Sequence, residues 1–469
     1  MTATLTPTAT AAEASASAAS GLVHLPGRWI DGWNPEDAQQ WANGGSAIAA
    51  RNLRWSIFAE FLGFVVWQLW SIVVVSLPAA GFHYSVTETF WLISMPSLVG
   101  ATLRFPYTFM VPRFGGRNWT IVSAALLLIP ASALAIVLSN PATPFGVMLA
   151  VAALAGFGGG NFASSMANIT YFYPQRMKGW ALGLNAAGGN IGAAVAQFLV
   201  PVLVTLTAGA TLNLPIAGWF WLPLIAVAII GAATRMNNLT GAKADVAASL
   251  AALREPHLWL LALLYIGTFG SFIGFSGVFP KLIADVFPQF SAIHVGTIAF
   301  SLAFVGAAVG SLARPYGGRL ADRFGGARMT AVAFVVMALG TTAAVLTLPL
   351  HHFALFLLCF VVLFVASGVG NGAMYRLIPT VFALRGGAAD ASTDAGDVGA
   401  RRKASAALGL VAAFGAYGGF LVPQLLGLSK SHFGDYEHGL WWFVAAYAVF
   451  LAATLVFYVL PAARKRTRL

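Results

Sequence analysis

Charged residues are scarce in this chain. Only 9% of its 469 residues are Asp, Glu, Lys or Arg, whereas 59% are hydrophobic. A soluble globular domain carries about a quarter charged residues, so the deficit excludes that class. Spanning a bilayer takes about 20 mostly apolar residues, and runs of that length recur along almost the whole sequence after residue 51. The composition therefore predicts a helical integral membrane protein.

Cysteine is almost absent. The single residue, Cys359, lies in an apolar run, which excludes a disulfide framework and a cysteine metal cluster. The eight histidines fall in the N-terminal tail, in predicted loops or near predicted helix ends. Because no nucleophile, base or metal constellation emerges from them, we predict no metal, no cofactor and no enzymatic activity.

Acidic residues are fewer than basic ones, 15 against 26, which gives a formal net charge of +11. In a soluble protein such an excess would indicate a nucleic-acid partner. Here Arg104, Arg314 and Arg376 lie within predicted helices, Lys281 and Lys430 lie in one set of loops, and all the others lie in the tails or the opposite loops. The positive-inside rule accounts for these basic residues, so we predict no nucleic-acid partner. It also predicts a multi-pass protein of the cell membrane with both termini in the cytoplasm.

Apolar runs separated by charged or Pro/Gly-rich loops predict twelve transmembrane helices. Their predicted bounds are 52–78, 88–111, 118–139, 145–171, 178–207, 217–236, 256–280, 293–316, 327–348, 354–380, 404–428 and 439–461. We predict two six-helix bundles at 52–236 and 256–461, a cytoplasmic linker at 237–255, and cytoplasmic tails at 1–51 and 462–469. Residues 1–20 are rich in Ala, Ser and Thr and are predicted to be disordered. The tryptophans around Trp33 are predicted to lie at the level of the lipid headgroups.

The two halves of the sequence repeat each other. The segment Gly100–Tyr107, followed by a Phe-Gly-Gly turn, recurs 210 positions later (100 to 310) as Gly310–Tyr316 with the same turn. Further on, Ala181–Leu184 recurs as Ala407–Leu410, and the extra length lies in a polar insertion at 386–403. Two six-helix halves of like topology are typical of major facilitator transporters. The repeat therefore predicts an all-α major facilitator fold with two pseudo-symmetric halves.

Two arginines occupy equivalent places in the repeat. Arg104 and Arg314 lie near the middle of the second and eighth predicted helices, where a charge costs about 2.5 to 3.5 kcal/mol even on permissive insertion scales. The pseudo-twofold would bring both guanidinium groups to the interface between the halves, where forked donors match a flat oxyanion. The alternative is that each arginine pairs with a buried carboxylate or caps helix carbonyls. Glu60 is the only acidic residue in the interior of a predicted span, so an anion site is favoured.

Glycines cluster in the fourth, fifth and eleventh predicted helices, where small residues let helices approach closely. Structural or gating roles are predicted for Gly158, Gly160, Asn161, Gly179, Gly183, Gly192, Gly409, Gly415, Gly418 and Gly419. Asn185 and Asn190 differ, because a buried amide must find partners, either substrate oxygens or a neighbouring helix. Tyr265 and Phe269 share one helical face, a spacing typical of a packed or lipid-facing pair as well as of a site.

Long strings of this chain resemble the NarK-type nitrate/nitrite porters of the major facilitator superfamily. The likeness runs from about Trp33 to the last predicted helix, and its most specific parts include Asn161–Asn168 and Thr268–Ser276. Two further segments, Gly179–Gly192 and Ala407–Gly419, are similar to the two glycine-rich nitrate signatures of that family. The resemblance implies transport of nitrate and nitrite across the bilayer, and a monomer is expected.

The resemblance also implies roles for individual residues. Arg104 and Arg314 would clamp the anion, and Phe162 and Phe269 would sandwich its plane. Tyr265 and Asn190 would complete the polar contacts, and the same anion site is expected to include Asn185 and Gly189. Nitrate is flat, delocalised and weakly hydrated, so aromatic walls with two forked donors suit it better than they suit a tetrahedral anion.

Two residues depart from the family pattern. Glu60 and Arg376 stand in the first and tenth predicted helices, where the family carries uncharged or amide side chains. Both fall toward the cytoplasmic ends of their helices, so we predict that they form an ion pair. In the alternative interpretation Glu60 is a proton acceptor.

The shortage of carboxylates bears on mechanism. Arginine keeps its proton at physiological pH, so an empty site would hold two unpaired positive charges at low dielectric. Reorientation without an anion should therefore be slow, which predicts exchange of nitrate inward for nitrite outward by rocking of the halves. The alternatives are proton-coupled nitrate symport and nitrite export. A nitrate sensor would need a sizeable effector domain, which the tails and the 386–403 insertion do not hold.

Overall fold

Twelve long helices form the body of the computed structural model, which describes residues 22–209, 211–242, 246–390 and 394–460. We number these helices α1 to α12. Their bounds are α1 Ser46–Val73, α2 Val86–Phe114, α3 Gly116–Val137, α4 Phe145–Phe172, α5 Gln175–Leu206, α6 Ile216–Arg235, α7 Pro256–Val286, α8 Ala303–Phe324, α9 Gly326–Thr347, α10 Phe353–Asp390, α11 Asp394–Gly415 continued by Gly418–Phe433, and α12 Glu437–Val459. All twelve predicted helices are present, so the prediction of an all-α membrane protein is confirmed.

Ten of the described helices are both long and apolar enough to cross a membrane. The remaining two, α2 and α8, have 29 and 22 residues and are long enough. Each of them carries one of the mid-helix arginines, Arg104 or Arg314, and α2 also contains three prolines. The two helices with the weakest apolar character are therefore those that supply the predicted anion site.

The sequence-based prediction is wrong about where the eighth helix begins. Residues predicted to open that helix form a hairpin of two antiparallel strands, Ile293–Val295 and Ile298–Phe300, and α8 begins only at Ala303. The β-branched residues favour extended backbone, and Gly296, with φ of 63°, adopts the left-handed conformation that a two-residue turn requires.

The polar insertion at 386–403 is largely helical. α10 runs for 38 residues to Asp390, which is about 57 Å at about 1.5 Å per residue, whereas the hydrocarbon core of a bilayer is about 30 Å thick. α10 therefore projects beyond the bilayer, and α11 begins again at Asp394. The predicted disordered segment 1–20 and the tail at 462–469 lie outside the described residues.

A small sheet ties the N-terminal segment to the linker. Strand Trp29–Asp31 pairs antiparallel with Val23–Leu25 and parallel with Asn238–Leu239 of the linker. Arg28 Nε donates to the carbonyl of Met236 at 2.8 Å. Trp33 Nε1 donates to the carbonyl of Tyr171 at the end of α4, 3.1 Å away. Tryptophans that were predicted at headgroup level thus pack on protein, since the Trp33 ring also lies edge-on against Phe172.

The two halves meet mainly along two helix pairs, α5 with α8 and α2 with α11. Each pair includes one of the two helices, α2 and α8, that carry the mid-helix arginines. Within each half, close glycine contacts hold the helices together. A Cβ on Gly158 of α4 would lie 2.1 Å from the carbonyl oxygen of Gly63, and one on Gly368 of α10 would lie 2.3 Å from that of Gly310. The fold therefore fixes the backbones around both arginines tightly.

Candidate functional site

Arg104 is completely buried in α2, with 0% of its surface exposed. Its Nε donates to the carbonyl of Gly159 in α4 at 3.1 Å, and its Nη1 donates to the carbonyl of Ala412 in α11 at 2.9 Å. The first acceptor belongs to the same half of the molecule and the second to the other half. Nη2 has no hydrogen-bond partner among the described residues, so this nitrogen remains for a ligand.

Arg314 is also buried, on α8, with 4% of its surface exposed. Its Nη2 donates to the hydroxyl of Tyr265 in α7 at 3.2 Å. Its guanidinium carbon lies 4.7 Å from the centre of the Tyr375 ring on α10, within the range of a cation–π contact. Nη1 makes no hydrogen bond within the part of the chain that the structure describes. Each arginine thus keeps one buried nitrogen that no described protein acceptor satisfies.

The two arginines converge on the same pair of aromatic rings. The guanidinium carbon of Arg104 lies 4.5 Å from the centre of the Phe162 ring and 5.1 Å from that of Phe269. The guanidinium carbon of Arg314 lies 5.7 Å from both centres. Tyr265 stacks on Phe269 with ring centres 5.4 Å apart. These five predicted residues, drawn from α2, α4, α7 and α8, therefore form one cluster.

Phe162 and Phe269 face each other at the centre of that cluster. Their rings are stacked, with centres 6.1 Å apart and planes inclined by 27°. A flat anion between two rings needs about 3.5 Å on each side, or about 7 Å in all. Admission of such an anion therefore requires the rings to separate by about 1 Å.

A cavity of about 650 Å³ leads to the cluster. Arg104, Phe162 and Tyr375 line its inner end, and Thr170, Gly241 and Ser249 lie nearer the linker. We call this side of the molecule the linker side.

The opposite side is closed by hydrogen bonds between the halves. Gln197 Nε2 on α5 donates to the carbonyl of Ser276 on α7 at 2.6 Å, and Gln424 Nε2 on α11 donates to Ser94 Oγ on α2 at 2.7 Å. The site is thus reached from the linker side.

Asn185 and Gly189 both contact Glu60. The Asn185 amide nitrogen lies 2.7 Å from a carboxylate oxygen of Glu60 and 2.7 Å from Ser165 Oγ. A Cβ on Gly189 would lie 2.3 Å from the other Glu60 oxygen. Asn190 is buried, and neither atom of its amide has a partner among the described residues. The contacts therefore do not join these three residues to the arginine cluster.

The predicted ion pair between Glu60 and Arg376 is wrong. Glu60 is 1% exposed in the middle of α1, whereas the side chain of Arg376 is 61% exposed and its Nε lies 3.3 Å from Asp322. Asp322 stands on α8, which packs against α10 in the same half. Arg376 thus finds a nearer carboxylate in its own half, while Glu60 turns inward toward α5.

The predicted glycines fall into two groups. A Cβ would come within 3 Å of another residue at Gly158, Gly160, Gly192, Gly415, Gly418 and Gly419. At Gly179, Gly183 and Gly409 a Cβ would meet nothing within 4 Å, so close helix packing does not explain glycine there. Asn161, which was grouped with them, is buried beside Gly63.

Two aromatic residues of the cluster were missed in the sequence. Tyr375 contacts Arg314 as described, and Trp67 of α1 lies 5.4 Å from the guanidinium carbon of Arg104. Trp67 Nε1 is held by the carbonyl of Pro96 at 2.8 Å. Nothing in the sequence distinguishes either residue from an aromatic residue of the core. Tyr375 directly precedes Arg376, which is charged within a predicted helix, but that does not indicate a contact with Arg314.

Comparisons with known proteins agree with this architecture. Residues 59–423 match the Major Facilitator Superfamily. Solved structures of similar fold include an inward-facing bacterial homologue of the human lysosomal transporter Spinster, at a TM-score of 0.64 and 18% identity over 90% of this chain and 97% of that one. The xylose transporter XylE of E. coli also has a TM-score of 0.64, at 13% identity, with coverage of 88% and 100%.

Relatives in sequence are more similar. The nitrate/nitrite transporter NarU of Salmonella typhimurium is 42% identical over 87% of this chain and 91% of its own length. The corresponding values for NarU of Escherichia coli are 39%, 91% and 95%. The probable nitrate/nitrite antiporter NarK2 of Thermus thermophilus is 34% identical over 95% of this chain and 99% of its own. This chain therefore belongs to the Major Facilitator Superfamily and, within it, to the family of NarK- and NarU-type nitrate/nitrite porters.

Proposed function

We propose that this protein transports nitrate and nitrite across the membrane and exchanges one for the other. The observation that carries the proposal is the convergence of two buried guanidinium groups on one pair of stacked rings. Each guanidinium retains a donor without a protein acceptor, on Nη2 of Arg104 and on Nη1 of Arg314. A flat, monovalent oxyanion offers acceptors to both donors and a face to each ring. The names of the relatives describe the same substrates.

Exchange follows from the charges in the site. An arginine in a closed cavity stays protonated, so the site without an anion keeps uncompensated positive charge at low dielectric. Bound anion lowers that cost in both orientations, so the halves change orientation mainly when loaded. Monovalent ions exchanged one for one leave no net charge movement, and the two concentration gradients drive the cycle.

We also propose an orientation in the membrane and an oligomeric state. The excess of Lys and Arg in the linker, the tails and the loops on the linker side favours a cytoplasmic linker side, which puts both termini in the cytoplasm. The cavity would then open to the cytoplasm. We propose a monomer in the cell membrane, acting as a transporter and not as an enzyme, because one chain supplies both arginines and both rings.

Reconstituted vesicles test the proposed exchange. Nitrate uptake into vesicles loaded with nitrite should exceed uptake into empty vesicles at least tenfold, because the empty site reorients slowly; the factor corresponds to about 1.4 kcal/mol. Arg104→Lys and Arg314→Lys should each abolish exchange, since an ammonium lacks the forked donors. Arg176→Lys, an exposed residue at the start of α5, is the matched control and should exchange normally. Equal uptake with and without internal nitrite would contradict antiport, and the absence of nitrate uptake in either case would contradict the proposed substrate.

A further inference from the structure

A buried carboxylate lies beside the proposed anion site without belonging to it. Glu60 is 1% exposed on α1 and accepts a hydrogen bond from the amide of Asn185 on α5. Its second oxygen, Oε1, has no hydrogen-bond partner in the described part of the chain. That oxygen points at Gly189, where any side chain would collide with it. The fold thus provides space and hydrogen bonding for a carboxylate in the middle of the membrane, where an unused charge is costly.

A short hydrogen-bonded chain continues from this carboxylate. The Asn185 amide also donates to Ser165 Oγ on α4, and Ser165 Oγ lies 2.8 Å from Ser56 Oγ. Ser56 is one turn before Glu60 on α1, on the linker side, and is buried. Hydroxyl groups donate and accept alike, so the two serines form a polar connection toward the side on which the cavity opens.

Arg104 and Arg314 are the charged groups that interact electrostatically with Glu60. They belong to α2 and α8, and Tyr265 on α7 and Tyr375 on α10 both contact Arg314. The helices packed directly around Glu60, α4 and α5, present uncharged Ser165 and Asn185. The carboxylate therefore shares with the transported anion the field of the same two guanidinium groups.

We propose that Glu60 is a proton-binding site linked to the transported anion, so that binding of nitrate is accompanied by uptake of a proton on this carboxylate. The inference rests on the proposed function. An ionised Glu60 already offsets one of the two positive charges, and a second negative charge entering the site repels it. Each anion therefore favours the neutral form of Glu60, and, by reciprocity, protonation of Glu60 strengthens anion binding.

Proton linkage reconciles exchange with proton coupling. Nitrate and nitrite carry the same charge, so both would bind with the same proton, and exchange of one for the other would move no net proton. Net entry of nitrate into a vesicle without a counter-anion would instead carry one proton with it, and it is slow because the empty site leaves Nη2 of Arg104 and Nη1 of Arg314 without acceptors. The same site would then perform antiport when both anions are present and symport when only one is.

Calorimetry of nitrate binding to the purified full-length protein tests the proposal. In buffers of different ionisation enthalpy, the heat of binding reports the protons taken up. The wild type should take up a fraction of a proton per nitrate, and this fraction should approach one at pH values where Glu60 is ionised in the anion-free protein. In that pH range its affinity for nitrate should fall by up to tenfold for each unit by which the pH rises. Glu60→Gln, which is nearly isosteric, should bind nitrate with no proton uptake and with an affinity independent of pH.

Two further variants complete the test. Glu437→Gln removes an exposed carboxylate at the start of α12 and should behave as the wild type does. Asn185→Ala removes a donor to the ionised carboxylate and should shift proton uptake to higher pH without abolishing it, so it provides a test if Glu60→Gln fails to fold. Proton uptake that is absent in the wild type, or unchanged in Glu60→Gln, would overturn the linkage and leave nitrate transport intact. If nitrate does not bind the wild type at all, the proposed function fails instead.

Discussion

At the scale of single residues, the hydrogen bonds of the buried arginines determine how the site is positioned. The Tyr265 hydroxyl accepts a hydrogen bond from Arg314, and the Tyr265 ring stacks on Phe269. The stacking fixes the ring, and the hydrogen bond fixes the guanidinium. Tyr265 is therefore a positioning residue for the arginine as well as a wall of the site.

Replacement of Tyr265 by Phe separates these two roles. The ring and its stacking stay, but the hydrogen bond to a charged group is lost, which is worth about 1.5 to 3 kcal/mol. We expect nitrate affinity, measured by calorimetry, to fall at least tenfold. Tyr447→Phe is the matched control: it loses a buried hydrogen bond to Ser271 outside the cluster and should lower the melting temperature without changing affinity. Equal affinity in both variants would contradict the positioning role.

Residue chemistry was the most predictable part of the site. Arg104 and Arg314 stood out because a charge in an apolar run is costly, and the repeat gave them equivalent positions. The contacts of Glu60 were not predictable, because composition does not fix which way a helix that is apolar on nearly all sides is rotated. Asn185 was recognised as a buried amide that needs a partner, but the sequence could not show that the partner is Glu60.

At the scale of secondary structure elements, close backbone contact decides how α7 and α11 meet. Gly418 opens the second segment of α11, and a Cβ there would lie 2.2 Å from Cα of Gly270. Gly270 ends the five-residue π-helical stretch of α7 that contains Phe269. The position of one ring of the site thus depends on the absence of a side chain on another helix.

Replacement of Gly418 by Ala should therefore disturb both stability and the site. A methyl group pressed against backbone forces the two helices apart, and such overpacking costs about 1 to 3 kcal/mol. We expect a lower melting temperature in detergent and weaker nitrate binding. Gly183→Ala, at a position with nothing within 4 Å, should leave the melting temperature unchanged or raise it, since Ala is the better helix former. A similar loss in both variants would show that helix backbone contact is not the cause.

Element boundaries were less predictable than element number. Twelve apolar runs were enough to count the helices, but the hairpin before α8 is apolar too and was assigned to the helix. The extension of α10 to Asp390 was missed for the opposite reason, because residues beyond the bilayer are polar and read as a loop. In both places hydropathy reports the membrane environment and not the backbone conformation.

At the scale of the whole molecule, the halves are held together on the side away from the linker. The bond between Gln197 and the Ser276 carbonyl crosses from α5 to α7, and that between Gln424 and Ser94 crosses from α11 to α2. These contacts must break when the site opens to that side. They therefore define the gate of the orientation described here.

Cross-linking across this gate should lock the molecule. With Cys359 first replaced by Ala, the pair Gln197→Cys and Ser276→Cys joined by a short bifunctional thiol reagent should stop nitrate/nitrite exchange, and a cleavable reagent should restore it on reduction. Each single cysteine variant, treated in the same way, is the control and should retain exchange. Exchange that persists in the joined pair would show that these helices need not separate during transport.

One hydrogen-bonded side chain links the chemistry of the site to the position of the halves. Arg104 reaches Gly159 in its own half and Ala412 in the other, and its third nitrogen is left for the anion. If the halves part at α11, Nη1 loses its carbonyl and a second donor turns to the anion. The number of hydrogen bonds that the guanidinium makes then depends both on whether an anion is present and on whether the halves are in contact at α11. Binding of the anion and closure of the gate are therefore coupled, because both depend on the hydrogen bonds of the same guanidinium group.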